Sequence, residues 1–311
     1  MSNDVLVTGA AGFAGSHLID LLARSGATVT AWHRPGGSPP RQGADARWDA
    51  VDLLDQAQVQ AGVDRARPAA VYHCAGAAHV GRAWDSTAST FETNVRGTHH
   101  VLRALERSGS QARVLVPSSA MVYAPSDGAM AEDHPLLPSS PYGLSKLAQE
   151  MLGVRSTDRL AVTIARPFNH FGPRQDPNFV ASGFARRIAE IEMGRSAPEI
   201  AVGNLEARRD LTDVRDTVRA YQLILERGRP ARPYNVCSGQ AIAIRDLLDR
   251  LIARARVPVA VKVDPSRYRP NDTPLVLGDP ARLRDELGWS AQIPIDRTLD
   301  DLLEYWRTRT P

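Results

Sequence analysis

The stretch Val5–Leu18, VLVTGAAGFAGSHL, places Gly9, Gly12 and Gly15 directly after an apolar run and at the opening of an amphipathic segment. Glycines there let the chain turn tightly out of a strand and let an anion lie against the free N–H groups and positive dipole end of a helix. Glycine spacing alone is common. The strand before it, the helix after it and the strand–helix alternation beyond it read as the dinucleotide-binding turn of a doubly wound α/β fold, with Phe13 and Ala14 opening the helix beside the diphosphate.

Outward from this turn, the pattern predicts strands at Val5–Thr8, Thr28–Trp32, Ala70–Cys74, Val114–Pro117 and Ala161–Ile164. Helices are predicted at Ala14–Arg24, Gln56–Arg65, Thr87–Glu106 and Pro141–Val154. After residue 166 the loops lengthen and become rich in Pro and Asn, with amphipathic helices at Val180–Met193, Val214–Glu226, Ile244–Ala255 and a last pair near the C-terminus. The expected organisation is a Rossmann-type parallel sheet domain over residues 1–166, with 211–239 returning to it, and a smaller mixed α/β substrate lobe over 167–311. The cleft between them is the expected ligand site.

Composition narrows the class. With 311 residues, 43% hydrophobic and 23% charged, the chain has the ordinary profile of a soluble globular protein, and no apolar run approaches a membrane span. The start, Met1-Ser2-Asn3-Asp4, leads straight into a strand without a signal peptide's basic and apolar regions, so a cytoplasmic location is expected. A net charge of +3, with basic residues alternating with acids as in ARRIAEIEMGR, describes a solvated surface and no nucleic-acid footprint. Cys74 and Cys237 lie in strand-like segments without metal-type spacing and are expected as buried, reduced thiols, with no metal site. The 38 basic residues comprise 36 arginines and only two lysines, Lys146 and Lys262.

Cofactor choice is expected at the end of the second strand, AWHRPGG, where an acid would hold a ribose 2′-hydroxyl. His33 and Arg34 stand there instead, which favours NADPH, NADH remaining open, with Arg34 as the 2′-phosphate partner. Asp52 and Leu53 are placed for the adenine, and Ala75, Gly76 and Ala77 supply small residues where a strand end must approach the cofactor. Asn94 and Pro167 complete the expected cofactor contacts.

SSPYGLSKLAQE sets Tyr142 and Lys146 four residues apart at a helix start, with Ser140 as N-cap and Pro141 as first residue. An i, i+4 pair shares a face, so the ammonium lies beneath the phenol and should lower its pKa towards working pH. Ser119, in VPSSAMVYAP, supplies a hydroxyl for a reacting carbonyl oxygen, and Ser118 beside it is expected to touch substrate.

TGAAGFAG, SS, YGLSK and RPFNHFGP together resemble the extended short-chain dehydrogenase/reductase family, whose members act mainly on nucleotide-linked sugars. ARPFNHFGPRQDPNFV, VGNLEARRDLTDVRDTVRAY, YNVCSGQAIAIRDLLD and RPNDTP resemble its GDP-4-keto-6-deoxy-mannose reductases. The resemblance implies Asn169, Arg174, Arg209 and Arg269 as contacts for a GDP-linked sugar, reduction of its 4-keto group to a GDP-6-deoxyhexose such as GDP-D-rhamnose, and a homodimer formed through the 87–106 and post-141 helices. Val95, Val101, Leu102 and Leu105 would line that interface or belong to the core.

A dehydratase of this family carries carboxylates directly after the strand-end hydroxyl. Ala120 and Met121 stand there and transfer no proton, while Glu132 and Asp133 are expected to be solvated. An NDP-sugar 4-epimerase with tightly bound NAD uses the same Ser, Tyr and Lys and stays open as the alternative, followed by a non-catalytic NADP-binding protein. Asp210, Asp213 and Asp216 read as a cap and helix-start acids.

Overall fold

Strands buried on both faces of a parallel sheet are largely apolar, and Leu6–Val7, Val71–Tyr72 and Val114–Val116 of this chain are buried in that way. The computed structural model describes residues 4–37, 46–268 and 273–309. Its main sheet is assembled from β1 (Asp4–Thr8), β2 (Thr28–His33), β3 (Ala46–Ala50), β4 (Ala70–His73), β5 (Arg113–Pro117) and β6 (Ala161–Pro167). With the later β10 (Pro233–Val236) it runs in the order β10-β6-β5-β4-β1-β2-β3, and every pairing is parallel. Strand order reverses between β1 and β4, which opens a crevice at their carboxyl ends.

Helices cover both faces. α1 (Phe13–Arg24) contributes Leu18, Ile19 and Leu22 to one core, and the later α8 (Val214–Arg227) contributes Val218, Tyr221 and Ile224. On the opposite face lie α2 (Gln56–Ala66), the short α3 (Arg82–Asp85) and α4 (Thr87–Phe91), then α5 (Gly97–Arg107) and α6 (Pro141–Arg155). Val59, Val63, Val101, Leu102 and Leu105 are buried there. Three of the four residues considered for a dimer face, Val101, Leu102 and Leu105, are therefore core, and Val95 is half-buried.

The helix expected over 87–106 is not continuous. A five-residue π-helical turn, Glu92–Arg96, interrupts it and carries the fully buried Asn94. Such turns widen a helix locally and turn a side chain out of register.

Most of the remaining elements form the second lobe: β7 (Asn169–Phe171), α7 (Val180–Glu192), β8 (Glu199–Val202), β9 (Arg208–Asp213), β11 (Ala241–Ala243), α9 (Ile244–Ile252), β12 (Ala260–Val263), β13 (Leu275–Val276) and α11 (Ile295–Arg309), whereas α10 (Ala281–Leu287) packs through Leu283 and Leu287 on the core of the main sheet. β9 pairs with β7, β11 and β13, and the core of this lobe is built from α7, α9 and α11 through Ala185, Ile188, Leu248, Leu299 and Leu302. Asp213 caps α8 by accepting from the Arg215 amide at 2.7 Å. Asp210 accepts from the Ser238 and Gly239 amides at 2.8 and 2.9 Å, tying β9 to the turn after β10. A small cluster, Ala120, Val122, Phe168, Cys237 and Val276, joins the lobes beneath the Ser119 turn. Both cysteines are free; Cys237 is buried and Cys74 only half-buried. No described helix is long and apolar enough to cross a membrane.

Candidate active site

The glycine turn leaves β1 at Gly9, whose φ of +64° suits glycine, and a Cβ there would lie 2.6 Å from the Ala75 backbone. Gly15 packs the first turn of α1 so closely on Gly9 that a Cβ would sit 2.3 Å from its carbonyl oxygen. No side chain caps α1. The Gly12 amide closes the turn by donating to the Gly9 carbonyl at 2.9 Å, which leaves the helix-opening N–H groups at Phe13 and Ala14 for a diphosphate. This backbone cradle fits a dinucleotide.

Arg34 is exposed just past the end of β2, and His33 donates from Nδ1 to the Arg34 carbonyl at 3.0 Å. Asp52 accepts from the Leu54 amide at 2.9 Å, and the Leu53 carbonyl accepts from His100 Nδ1 at 2.7 Å, which holds the loop after β3 against α5. Past β4, Ala77 donates its amide to Asn94 Oδ1 at 2.7 Å, and Asn94 Nδ2 donates to Ser145 Oγ at 2.9 Å. A Cβ on Gly76 would meet Asn94 Oδ1 at 2.8 Å. Asn94 thus fastens the Ala75–Ala77 segment to α6, which gives the π turn its purpose.

Ser140 caps α6, accepting from the Gly143 amide at 3.1 Å, with Pro141 in the first turn. Gly143 is required by close approach, since a Cβ would stand 2.3 Å from the Met121 carbonyl oxygen. That contact seats the helix start on the Ser119–Val122 turn and sets Tyr142 beside Ser119. Ser119 Oγ accepts from the Met121 amide at 3.1 Å. Burial raises the Tyr142 pKa, and the Ser119 hydroxyl lowers it in part. This corrects the expectation that the lysine brings the phenol down: Lys146 Nζ instead donates to the Pro117 carbonyl at 2.5 Å and to Gln149 Oε1. Burial brings the ammonium itself down to about 8.

Ser118 is 2% exposed and its hydroxyl has no partner in the protein. Pro167 is buried at the end of β6, and Asn169 is exposed at the start of β7. Arg174 is ion-paired with Asp20 of α1 at 2.7 Å. Arg209 Nη1 donates to the Arg208 and Thr273 carbonyls at 2.9 and 2.8 Å. Arg269 lies outside the described residues.

Glu132 is not solvated. It is 8% exposed, accepts from the Asn235 amide at 2.8 Å and lies 3.4 Å from Arg282, because β10 and α10 close over its loop; burial raises its pKa. Asp133 is exposed. No group of three or more potential metal-ligating side chains occurs among the described residues.

Sequence reasoning missed two buried polar assemblies here. One joins Arg166, at 4% side-chain exposure, to Glu150, also at 4%, in a bidentate pair, with Arg166 Nη1 donating to the Tyr123 hydroxyl at 2.9 Å. The other links Thr8, His73, Thr98 and Gln149 to Lys146. A histidine inside the apolar run AVYHC was the one available signal for it.

The chain matches the GDP-mannose 4,6 dehydratase family over residues 6–302. It is 36% identical to GDP-6-deoxy-D-mannose reductase of Pseudomonas aeruginosa, with 99% of each chain covered, and 28% identical to UDP-glucose 4-epimerase of Bacillus subtilis, with 97% of this chain and 96% of that one covered. Its structure is similar to that of RMD from P. aeruginosa complexed with NADPH, at a TM-score of 0.87 and 33% identity, covering 98% of this chain and 99% of that one.

Proposed function

The chain belongs to the GDP-mannose 4,6 dehydratase family of extended short-chain dehydrogenase/reductases, NAD(P)-dependent enzymes of nucleotide-sugar chemistry, and from that premise we propose that it reduces the 4-keto group of a GDP-linked 4-keto-6-deoxyhexose with NADPH. The product is a GDP-6-deoxyhexose such as GDP-D-rhamnose. The observation that carries this reading is the placing of Tyr142 beside Ser119, whose turn continues into Ala120 and Met121, residues with no proton to exchange. Dehydration would need a carboxylate at that point, and the neighbouring Glu132 is committed to Asn235 and Arg282. The recess lined by Ala120, Met121, Tyr123, Met130, Leu275 and Val276 offers an apolar wall suited to a 6-methyl group.

When bound, NADPH supplies the hydride. Ser119 holds the carbonyl oxygen, and Tyr142 gives that oxygen a proton as negative charge develops on it. Lys146 has three N–H donors and keeps two on Pro117 and Gln149, so the third is available to ribose hydroxyls. Gly9, Gly12, Phe13, Ala14 and Gly15 hold the diphosphate, Arg34 the 2′-phosphate, Asp52 and Leu53 the adenine, and Asn94 and Pro167 line the nicotinamide end. Ser118 and Asn169 contact the sugar nucleotide, with Arg174, Arg209 and Arg269 on its diphosphate.

Mixing protein, keto-sugar nucleotide and NADPH consumes the nicotinamide absorbance on this reading; no consumption with either nicotinamide overturns it. Tyr142→Phe should bind both ligands and lose turnover by about 10²- to 10⁴-fold. The similarity to a 4-epimerase over the whole chain supports a second reading, which requires NAD retained through purification and sugar interconversion without net NADPH consumption. A homodimer would use the outer face of α6, where Leu144 and Met151 are 49% and 52% exposed, seven residues apart. Sedimentation of Met151→Glu tests that assembly.

A further inference from the structure

The Thr98 hydroxyl donates to the Asn94 carbonyl one turn back along the helix, at 2.6 Å. A hydroxyl has one proton, so the other two groups at this oxygen must donate to it: Gln149 Nε2 and His73 Nε2, each at 2.8 Å. His73 therefore carries its proton on Nε2, and Nδ1 accepts from the Thr8 hydroxyl at 2.8 Å. The Thr8 oxygen faces the Ala75 amide at 3.3 Å. With Nε2 of Gln149 committed to Thr98, Oε1 is turned to Lys146 Nζ.

Thr8, Thr98 and Gln149 are 0% exposed, and His73 is 1% exposed. No water competes for these bonds, and each proton has a single place. A flipped Gln149 amide would set NH₂ against the ammonium and confront the already occupied Thr98 oxygen with an acceptor.

We propose that Gln149 is a positioning residue for Lys146: its oxygen fixes the ammonium so that one N–H points to the cleft, and the Thr98–His73–Thr8 chain fixes that oxygen. The other titratable groups facing the ammonium leave this task to neutral oxygens. The Cys74 thiol at the end of β4 is pushed up to about 12 and stays protonated, and burial drives His73 down to about 3 and keeps it neutral. Glu150 on the next turn of α6 is bound to Arg166, and Tyr142 is a neutral phenol. The chain begins at Thr8, the residue before Gly9, so the lysine and the glycine turn are held by one continuous set of bonds.

The inference rests on Lys146 being the catalytic ammonium, and its test does not pass through turnover. The chain has only two lysines, so lysine labelled with ¹³C at Cε gives two resonances, and Lys262, with 68% side-chain exposure, serves as internal reference. In ligand-free wild type, Lys146 should titrate near 8. In Gln149→Met the ammonium loses an acceptor and its midpoint should fall by about one unit, whereas in Gln149→Glu it should rise. Thr98→Val, which frees the amide to flip, should lower it by less, and Lys262 should not move in any variant. Turnover with NADPH should fall about ten- to a hundredfold in Gln149→Met and be retained better by Gln149→Glu, which still offers an oxygen. If Gln149→Met does not fold, Gln149→Glu and Thr98→Val decide the matter. A Lys146 midpoint unmoved in every folded variant overturns the proposal. A moved midpoint in a protein that reduces no keto-sugar leaves the positioning role standing and removes the reductase reading.

Discussion

Two basic side chains are buried against α6 within a turn of each other, and they are treated oppositely. Arg166 is matched by a carboxylate in bidentate geometry, by the Tyr123 hydroxyl and by the Glu132 carbonyl at 3.0 Å, and burial fails to pull its pKa down because Glu150 holds it up. Lys146, four residues before Glu150 on the helix, receives two neutral oxygens, and its charged form is left short of compensation. A charge whose work is structural is fully paired; a charge that must reach a ligand keeps a donor unsatisfied and costs stability.

The largest effect should come from breaking the paired side of this contrast. Arg166→Met leaves Glu150 as an uncompensated buried carboxylate and should cost about 3–5 kcal/mol in denaturant unfolding. A loss under 1 kcal/mol would show that the pair is not the organising charge of this region. Lys146→Met should act in the other direction, raising stability at pH 7 by about 1–3 kcal/mol while abolishing turnover.

The sign follows from the shift. The lysine binds its proton less tightly in the folded chain, about 8 against the ordinary 10.5, so between those values the unfolded chain carries more protons and wild-type stability gains as pH rises. The advantage of Lys146→Met should therefore shrink between about pH 8 and 10.5, read from thermal melts of both proteins across that range. An advantage independent of pH would mean that packing, and not charge, separates them. The smallest effect belongs to an exposed pair at the C-terminal end of α6, between its last residue and the turn that follows. Arg155 and Asp158 lie 3.3 Å apart with side chains 85% and 72% exposed, and Arg155→Ala should change stability by less than about 0.5 kcal/mol.

Much of the scaffold of this comparison was legible before any coordinates. The glycine turn, the core strands, the Ser140 cap and the Tyr142–Lys146 spacing are local patterns, in which a few neighbouring residues carry the whole signal. Glu132 was not legible, because the groups that bury it, Asn235 and Arg282, lie more than a hundred residues along the chain. The break at Glu92–Arg96 was hidden for a related reason: the helical periodicity on either side is sound, and only the demand that Asn94 reach both Ala77 and Ser145 explains the π turn. Tyr142 was misjudged because spacing reports that a cation is near and says nothing of where its protons go.

The sequence by itself determined the α/β alternation, the glycine turn and the Tyr142–Lys146 spacing on one helix face, since periodicity, backbone freedom and i, i+4 geometry are properties of short segments. Which partners each buried charge receives was decided only by the tertiary structure. Strands β1, β4 and β6 and helices α5 and α6 must first pack before Thr8, His73, Thr98 and Gln149 meet, or Arg166 finds Glu150. Hydrogen bonds act over about 3 Å, and only packing brings such distant residues that close.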